Sequence, residues 1–208
     1  MNKPIIIGIA GPSGSGKSVL STRVQESLGR SRCSIIAEDA YYRNLTHLSF
    51  EERCAVNYDH PDTFEHELME EHLAELLAGR SVDAPSYDYA KHLRASEVQH
   101  VEPTPVIIVE GILIFHLAEL RQRMDLKVFV DVAADVCLVR RIFRDTQERG
   151  RTMESVLNQY LQTVRPMAQQ YVIPSMGFAD VKISHGGASD EARDLLCGFI
   201  KARLPELA

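Results

Sequence analysis

Residues Gly11 to Ser18 read Gly-Pro-Ser-Gly-Ser-Gly-Lys-Ser and directly follow the apolar run Ile5 to Ala10. This stretch satisfies the pattern G-x-x-x-x-G-K-[ST], and its position constrains the fold more than any other part of the chain. A phosphate-binding loop of this kind needs a buried strand to deliver the chain, glycines to turn it, and a helix that begins at the lysine. Val19, Leu20, Val24 and Leu28 continue at helical spacing, and Gly29 stands where a helix would stop. Gly11, Gly14 and Gly16 are free to take positive φ, which turns successive N–H groups inward around a phosphate. Pro12, Ser13 and Ser15 complete the loop, Lys17 is the cation for the β- and γ-phosphates, and the Ser18 hydroxyl is the expected Mg²⁺ ligand. The competing reading is a flexible Gly/Ser turn between a core strand and an ordinary helix.

Downstream, short apolar runs alternate with helical patterns. Ser34 to Ala37, Val106 to Val109, Leu126 to Val132 and Ala179 to Ile183 read as further strands. Helices are expected from Leu68 to Leu77, capped at Asp62 or Thr63 and stopped at Gly79. Others fall around Val136 to Phe143, from Ser155 to Tyr171, and from Asp190 to Leu204. Ala40 to Asp62 reads as loop plus one short helix, anchored by Leu48, Phe50 and Val56. Strands that are apolar along their whole length and separated by helices predict a parallel sheet covered on both faces. The two arms Val82 to Tyr89 and Ala95 to Val101 exceed a minimal crossover and predict a β-hairpin, within residues 82–101, that serves as lid or substrate-side insertion. One domain over 1–208 is expected.

Composition narrows the function classes. A net charge of −6 argues against a nucleic-acid surface. Cys33, Cys54, Cys137 and Cys197 form no C-x-x-C pair, so neither a zinc knuckle nor a disulfide framework is expected, and a reducing cytoplasmic setting fits. No apolar run reaches membrane-spanning length, and Ile5 to Ala10 is too short for a signal sequence, so a chain without a leader and without a membrane partner is expected.

Carboxylates at the carboxyl ends of strands lie on the ligand side of an open α/β sheet. Asp39 follows the second strand and is placed to take a proton from an attacking hydroxyl; the alternative is a solvated acid at a helix start. Glu110 follows the Val106 strand and is a candidate Mg²⁺ ligand, directly or through water. No Asp-x-x-Gly switch follows that strand, which counts against a signalling GTPase. Arg140-Arg141-Ile142-Phe143-Arg144-Asp145 and Glu148-Arg149-Gly150-Arg151 place arginines on one helical face and on a turn able to move. Phosphoryl transfer spreads charge over three oxygens, so a closing flap of guanidinium groups suits it; a solvated charged face is the plain alternative.

These pieces together resemble the uridine kinase family. The motifs, in order, are the Gly11 loop, Glu-Asp-Ala-Tyr-Tyr, Asn-Tyr-Asp-His-Pro, Tyr-Asp-Tyr-x-x-His-x-Arg, Glu-Gly-Ile-Leu, Arg-Arg-x-x-Arg-Asp and Glu-Arg-Gly-Arg, from Ile5 to about Gly187. Phosphoribulokinases and type I pantothenate kinases share several of them. The resemblance implies a P-loop kinase with a five-stranded parallel sheet, helices on both faces, a small β-hairpin over the acceptor and an arginine lid across 141–160. It implies transfer of the γ-phosphoryl of ATP or GTP, with Mg²⁺, to the 5′-hydroxyl of a pyrimidine ribonucleoside, by a homo-oligomer, commonly a tetramer. Residue by residue, it makes Asp39 the base, Lys17 the phosphate lysine, and Ser18 with Glu110 the metal site. Asp59 and Arg141 match groups on the ribose hydroxyls, and Tyr87 and His92 match readers of the pyrimidine edge. Tyr42, Tyr58 and Tyr89 match aromatic walls. Arg144, Arg149 and Arg151 match the lid, and Gln159 a further substrate contact. His66 and His72 read as helix-surface residues. One departure is Ser184-His185-Gly186-Gly187, where the family carries Pro-Arg before the glycines, which leaves the preferred triphosphate open. Rival readings are a kinase of the same architecture acting on another small alcohol, phosphoribulokinase-like, and a non-catalytic nucleotide-sensing module.

Overall fold

The computed structural model of the chain describes residues 3–205. β1 (Ile5–Ala10) is buried at every position and leads through the loop into α1 (Lys17–Leu28). β2 (Cys33–Ala37) ends in a 3₁₀ turn, Glu38–Tyr41, and two helices follow, α2 (Phe50–Ala55) and α3 (His66–Leu77). β3 (Val82–Asp88) and β4 (Leu93–Val101) form the hairpin, and β5 (Val106–Gly111) returns to the sheet. After α4 (Ala118–Arg123), β6 (Leu126–Val130) and α5 (Ala134–Glu148), a long helical stretch begins as α6 (Met153–Gln159). It runs on through two wide π-turns, Tyr160–Val164 and Ala168–Val172. β7 (Val181–Ile183) and the helix Asp190–Arg203 complete the described chain.

The main sheet has five strands in the order β2-β5-β1-β6-β7, and every pair is parallel. β1 is central because its register aligns it with β5 from Ile5↔Val106 to Ala10↔Gly111 and with β6 from Ile7↔Leu126 to Ala10↔Phe129. Alternate residues serve two cores. Ile6, Ile107, Val109 and Phe129 face Met69, Leu73 and Leu76 of α3. Ile5, Ile7, Ile9, Ile108 and Val128 face Leu20 and Val24 of α1 and Leu196 and Ile200 of the C-terminal helix. Both faces are therefore dry, which is why these strands read as continuous apolar runs.

Three expectations are corrected. α3 begins at His66 with Glu65 as its N-cap, because Pro61 places Asp62 and Thr63 in a separate 3₁₀ turn. Phe50 is exposed rather than an anchor; Tyr41, Tyr42, Tyr58 and Phe64 hold that segment to the core. His66 is buried, with Nε2 2.9 Å from Glu38 Oε1, and His72 Nδ1 meets the Tyr41 hydroxyl at 2.9 Å, so neither is a plain surface residue. On α5 the arginine-bearing face is the inner one. Val136, Val139 and Phe143 are exposed, and Cys137, Arg141 and Asp145, spaced i, i+4, i+8, turn inward.

Candidate functional site

The carboxyl ends of β1, β2 and β5 open onto a cavity of about 610 Å³. In the loop that forms its floor, Gly11, Gly14 and Gly16 take φ of 149°, 87° and 98°, and a side chain on Gly14 would collide with the Cys137 carbonyl. The loop closes on itself through Ser15 N–H donating to Pro12 O at 3.0 Å. α1 starts at Gly16 with no side-chain cap and no acidic residue in its first turn, so its leading N–H groups and its dipole face the cavity. Ser13, Gly14, Gly16, Lys17 and Ser18 line the cavity, whereas Gly11, Pro12 and Ser15 shape the loop from behind. Lys17 is nearly buried and its Nζ donates to Pro12 O at 3.3 Å.

Ser18 Oγ donates to Glu110 Oε1 at 2.8 Å, which sets two hard oxygen groups side by side at the helix start. Burial pushes the Glu110 carboxyl up to about 7, against the pull of the Lys17 charge and the Ser18 hydrogen bond. A carboxylate confined in this way gains from a cation, and a hydroxyl with a carboxylate suits Mg²⁺, whose remaining ligands are ordinarily water and phosphate. Among the described residues no group of three His, Cys, Asp or Glu side chains forms an all-protein metal cage.

Asp39, on the 3₁₀ turn after β2, lines the same cavity. Its neighbour Glu38 holds that turn in place: fully buried, it accepts from Leu113 N–H at 2.9 Å and meets His66, so β2, β5 and α3 meet at one carboxylate. Sequence reading missed Glu38. An acidic residue beside the candidate base was visible, but its partners lie 28 and 75 positions away.

The hairpin side is aromatic. Tyr42 stacks on Phe64 at 4.5 Å and contacts Tyr58 and Tyr87 at 5.2 and 4.8 Å; Tyr58 stacks with His92 at 5.1 Å. Local chemistry aims His92 there. Asp88 Oδ1 accepts from the N–H groups of Ala90 and Lys91, the turn tightens, and His92 takes φ 52°. Arg94 donates to Glu65 Oε2 and to Tyr42 O, tying the hairpin to the aromatic cluster. Burial, then the charges of Arg151, Arg149 and Arg53, hold the His92 imidazole below its ordinary value. The Tyr87 hydroxyl is buried beside Tyr58 without a hydrogen bond of acceptable geometry. Asp59 is buried too; desolvation raises its carboxyl and Arg141 opposes that.

The third wall is cationic. Arg141 donates to Ser13 Oγ at 2.8 Å and to Gln159 Oε1 at 2.7 Å, joining α5 to the phosphate loop and to α6. Arg144 donates to Asp145 at 2.8 Å, Arg149 lies over the Tyr89 ring at 3.8 Å, and Arg151 meets Gln159 and Ser155. Arg140 donates to Ser15 O at 3.3 Å, a contact the sequence did not suggest. The loop with Ser184, His185, Gly186 and Gly187 lies directly on the phosphate loop: a Cβ on Gly187 would be 1.8 Å from Gly16 O, so no larger residue fits.

Every expected site residue other than the three behind the loop therefore lines one cavity, drawn from the phosphate loop, the start of α1, the turn after β2, the segment between that turn and α3, the hairpin, β5, α5, the turn after it and α6. Residues 6–192 match the Phosphoribulokinase / Uridine kinase family. The chain belongs to that family. A uridine kinase of Chloroflexus aurantiacus is 48% identical over 97% of this chain and 96% of its own length. One from Aeromonas hydrophila is 48% identical over 96% and 95%. The phosphoribulokinase of Rhodobacter spheroides superposes with a TM-score of 0.63 at 15% identity, over 88% of this chain and 71% of that one, a likeness of fold. Membership in a kinase family accounts for an acid, a phosphate loop and an arginine wall sharing one cavity. Among the described residues no helix is long and apolar enough to cross a membrane.

Proposed function

We propose that this member of the family is a uridine/cytidine kinase, moving the γ-phosphoryl of ATP or GTP to the 5′-hydroxyl of uridine or cytidine to give UMP or CMP. The observation that carries the reading is that Lys17, Asp39 and the hairpin groups Tyr87 and His92 line a single cavity, which a donor and a flat acceptor could share. The near full-length likeness to uridine kinases supports it.

In this reading Asp39 accepts the proton of the 5′-hydroxyl as it attacks, and Lys17, Arg144, Arg149 and Arg151 meet the charge that spreads over the transferring group. Gly11 to Ser18 wrap the phosphates. Ser18 and Glu110 would hold Mg²⁺, which supplies neutralisation of phosphate charge. Asp59 and Arg141 take the ribose diol, with Gln159 bridging Arg141 and Arg151 behind it. Tyr42, Tyr58 and Tyr89 wall the base, and Tyr87 and His92 read its edge; the unpaired Tyr87 hydroxyl suits that role. The reading takes 1–208 as one catalytic unit working in pyrimidine salvage in the cytoplasm, as a homo-oligomer of four chains by resemblance. The exposed Val136, Val139 and Phe143 supply an apolar surface for assembly.

The test is a coupled assay of nucleoside-diphosphate (ADP or GDP) release with a panel of uridine, cytidine, deoxyuridine, adenosine, ribulose 5-phosphate and pantothenate. Uridine and cytidine should turn over, deoxyuridine slower by up to about 10⁴-fold because a site built for a hydroxyl rejects its absence, and adenosine hardly at all. Equal turnover of adenosine and uridine, or preference for ribulose 5-phosphate, overturns the acceptor assignment. No nucleoside-diphosphate release with any acceptor returns the chain to a nucleotide-sensing role.

A further inference from the structure

Asp145 lies on α5, fully buried, and four guanidinium groups surround it. Its Oδ1 accepts from Arg144 Nε at 2.8 Å and stands 3.4 Å from Arg149. Its Oδ2 stands 3.6 Å from Arg141 Nε and 3.8 Å from Arg151. The backbone joins in as well, since Arg151 N–H donates to Asp145 O at 3.1 Å and bends the turn after α5 back over the helix. Each of these arginines also touches or lines the cavity, and Asp145 does not.

Four like charges this close repel one another, and in a partly desolvated pocket the repulsion is several-fold stronger than in water. Burial and the charge of Arg144 press on Arg149, and burial and the charge of Arg141 press on Arg151, each lowering the affinity for the proton. Among the described residues one carboxylate at the centre is the only negative group that touches all four, so without it the arginines would splay. Its hydrogen bonding is also incomplete. Asp145 Oδ2 and Arg141 Nε are both buried, both without a hydrogen bond, and face each other at a distance a few tenths of an ångström too long. Because both lie on α5 at i, i+4, a small rotation of the two side chains, not a movement of the helix, would pair them.

We infer that Asp145 is a positioning residue for phosphoryl transfer: it organises Arg144, Arg149 and Arg151 toward the triphosphate and Arg141 toward the acceptor's ribose as one rigid set, without itself touching substrate. The inference rests on the kinase reading above, in which Arg144, Arg149 and Arg151 meet phosphate and Arg141 meets the ribose diol. Because Asp145 is an anion behind an anion-binding wall, it opposes ground-state attraction for the triphosphate while fixing the geometry that the transition state needs. The two effects have opposite signs, and that separates them in kinetics.

The experiment is Asp145→Asn, which keeps the shape and an acceptor for Arg144 but removes the charge. kcat and KM for both substrates are measured on the full chain. Calorimetric stoichiometry with the β,γ-imido analogue of ATP counts folded sites, so a loss of folded protein does not pass as a loss of catalysis. The expected result is a kcat per site lower by about 10- to 100-fold, the scale of an ångström-sized misplacement, with the KM for triphosphate unchanged or reduced. A kcat per site within threefold of the parent, or a raised KM with kcat unchanged, overturns the inference. Should the asparagine chain not purify folded, Asp145→Ser, which leaves room for water, is read the same way. Arg144→Ala is measured alongside. If it lowers kcat and Asp145→Asn does not, the positioning role alone falls. If neither lowers kcat, the lid reading of the arginines falls with it.

Discussion

At the end of β1 the cavity wall is backbone. Across the cavity, at the end of α5, it is side chain. The phosphate loop is eight consecutive residues whose N–H groups are set by φ and by the start of α1, and among the described residues its long-range side-chain hydrogen bonds are Ser18 to Glu110, Arg141 to Ser13 and Arg140 to Ser15. The arginine wall depends on contacts across α5, the following turn and α6, and on one buried carboxylate. A backbone cradle tolerates change in its surroundings because its geometry is local. A guanidinium cluster does not, because each long side chain is held only by its neighbours. The acidic end of β2 lies between the two, where Asp39 is local in sequence but braced from afar by Glu38.

The sharpest way to break this comparison is at Asp39. Asp39→Asn should lower kcat by about 10²–10⁴ while leaving the triphosphate affinity unchanged, since the amide keeps the shape and loses the basicity. Weakened triphosphate binding with normal turnover would move Asp39 from the acceptor to the metal side. Next in size is Lys17→Ala. Loss of one preorganised charge costs about 2.7–4 kcal/mol of barrier, or roughly 10²–10³ in kcat, and retention of half the parent rate would sink the cradle's assigned role.

A smaller effect probes the meeting of the walls. Tyr89→Leu removes the ring under Arg149, a contact worth about 0.5–2 kcal/mol. Because Tyr89 also walls the acceptor side, the KM values of triphosphate and nucleoside should rise together. A change confined to the nucleoside shows that Arg149 holds its place without the ring.

The smallest effect is in pH. The His92 imidazole is held below its ordinary value by burial and by Arg151, Arg149 and Arg53, so the folded protein favours its neutral form. A depressed value contributes stability that is present above the unfolded value near 6.5 and lost as pH falls through the folded one. The nucleoside KM should therefore rise a few-fold only at pH well under the ordinary imidazole value, where protonation adds a cation beside three arginines. His92→Ala should raise that KM at neutral pH and flatten the acid rise, and an unchanged rise in the variant would assign it to another group.

The strands, the phosphate loop and the hairpin were legible because their signals are local. Ile5 to Ala10 is apolar on both faces, the loop's glycines and lysine are contiguous, and Asp88 turns the hairpin within three residues. Family-specific motifs extended that legibility to Asp59, Arg141 and Gln159, which spacing alone would not have grouped. The failures share a cause. The pattern of α5 reports that one face differs from the other, not which face turns inward, and here Arg141 and Asp145 are buried while Val136, Val139 and Phe143 stay outside. His66 looked like any polar residue at a helix start until Glu38 arrived from β2.

By itself, then, the amino-acid order determined a parallel sheet and a place for phosphate, because strand burial and loop conformation follow from neighbours in sequence. Only the tertiary structure decided that Arg141 reaches Ser13 across 128 positions, that Arg149 covers Tyr89, and that Asp145 sits among four arginines. Such contacts depend on where whole elements come to rest, and a buried charge is tolerable only once its partners have arrived.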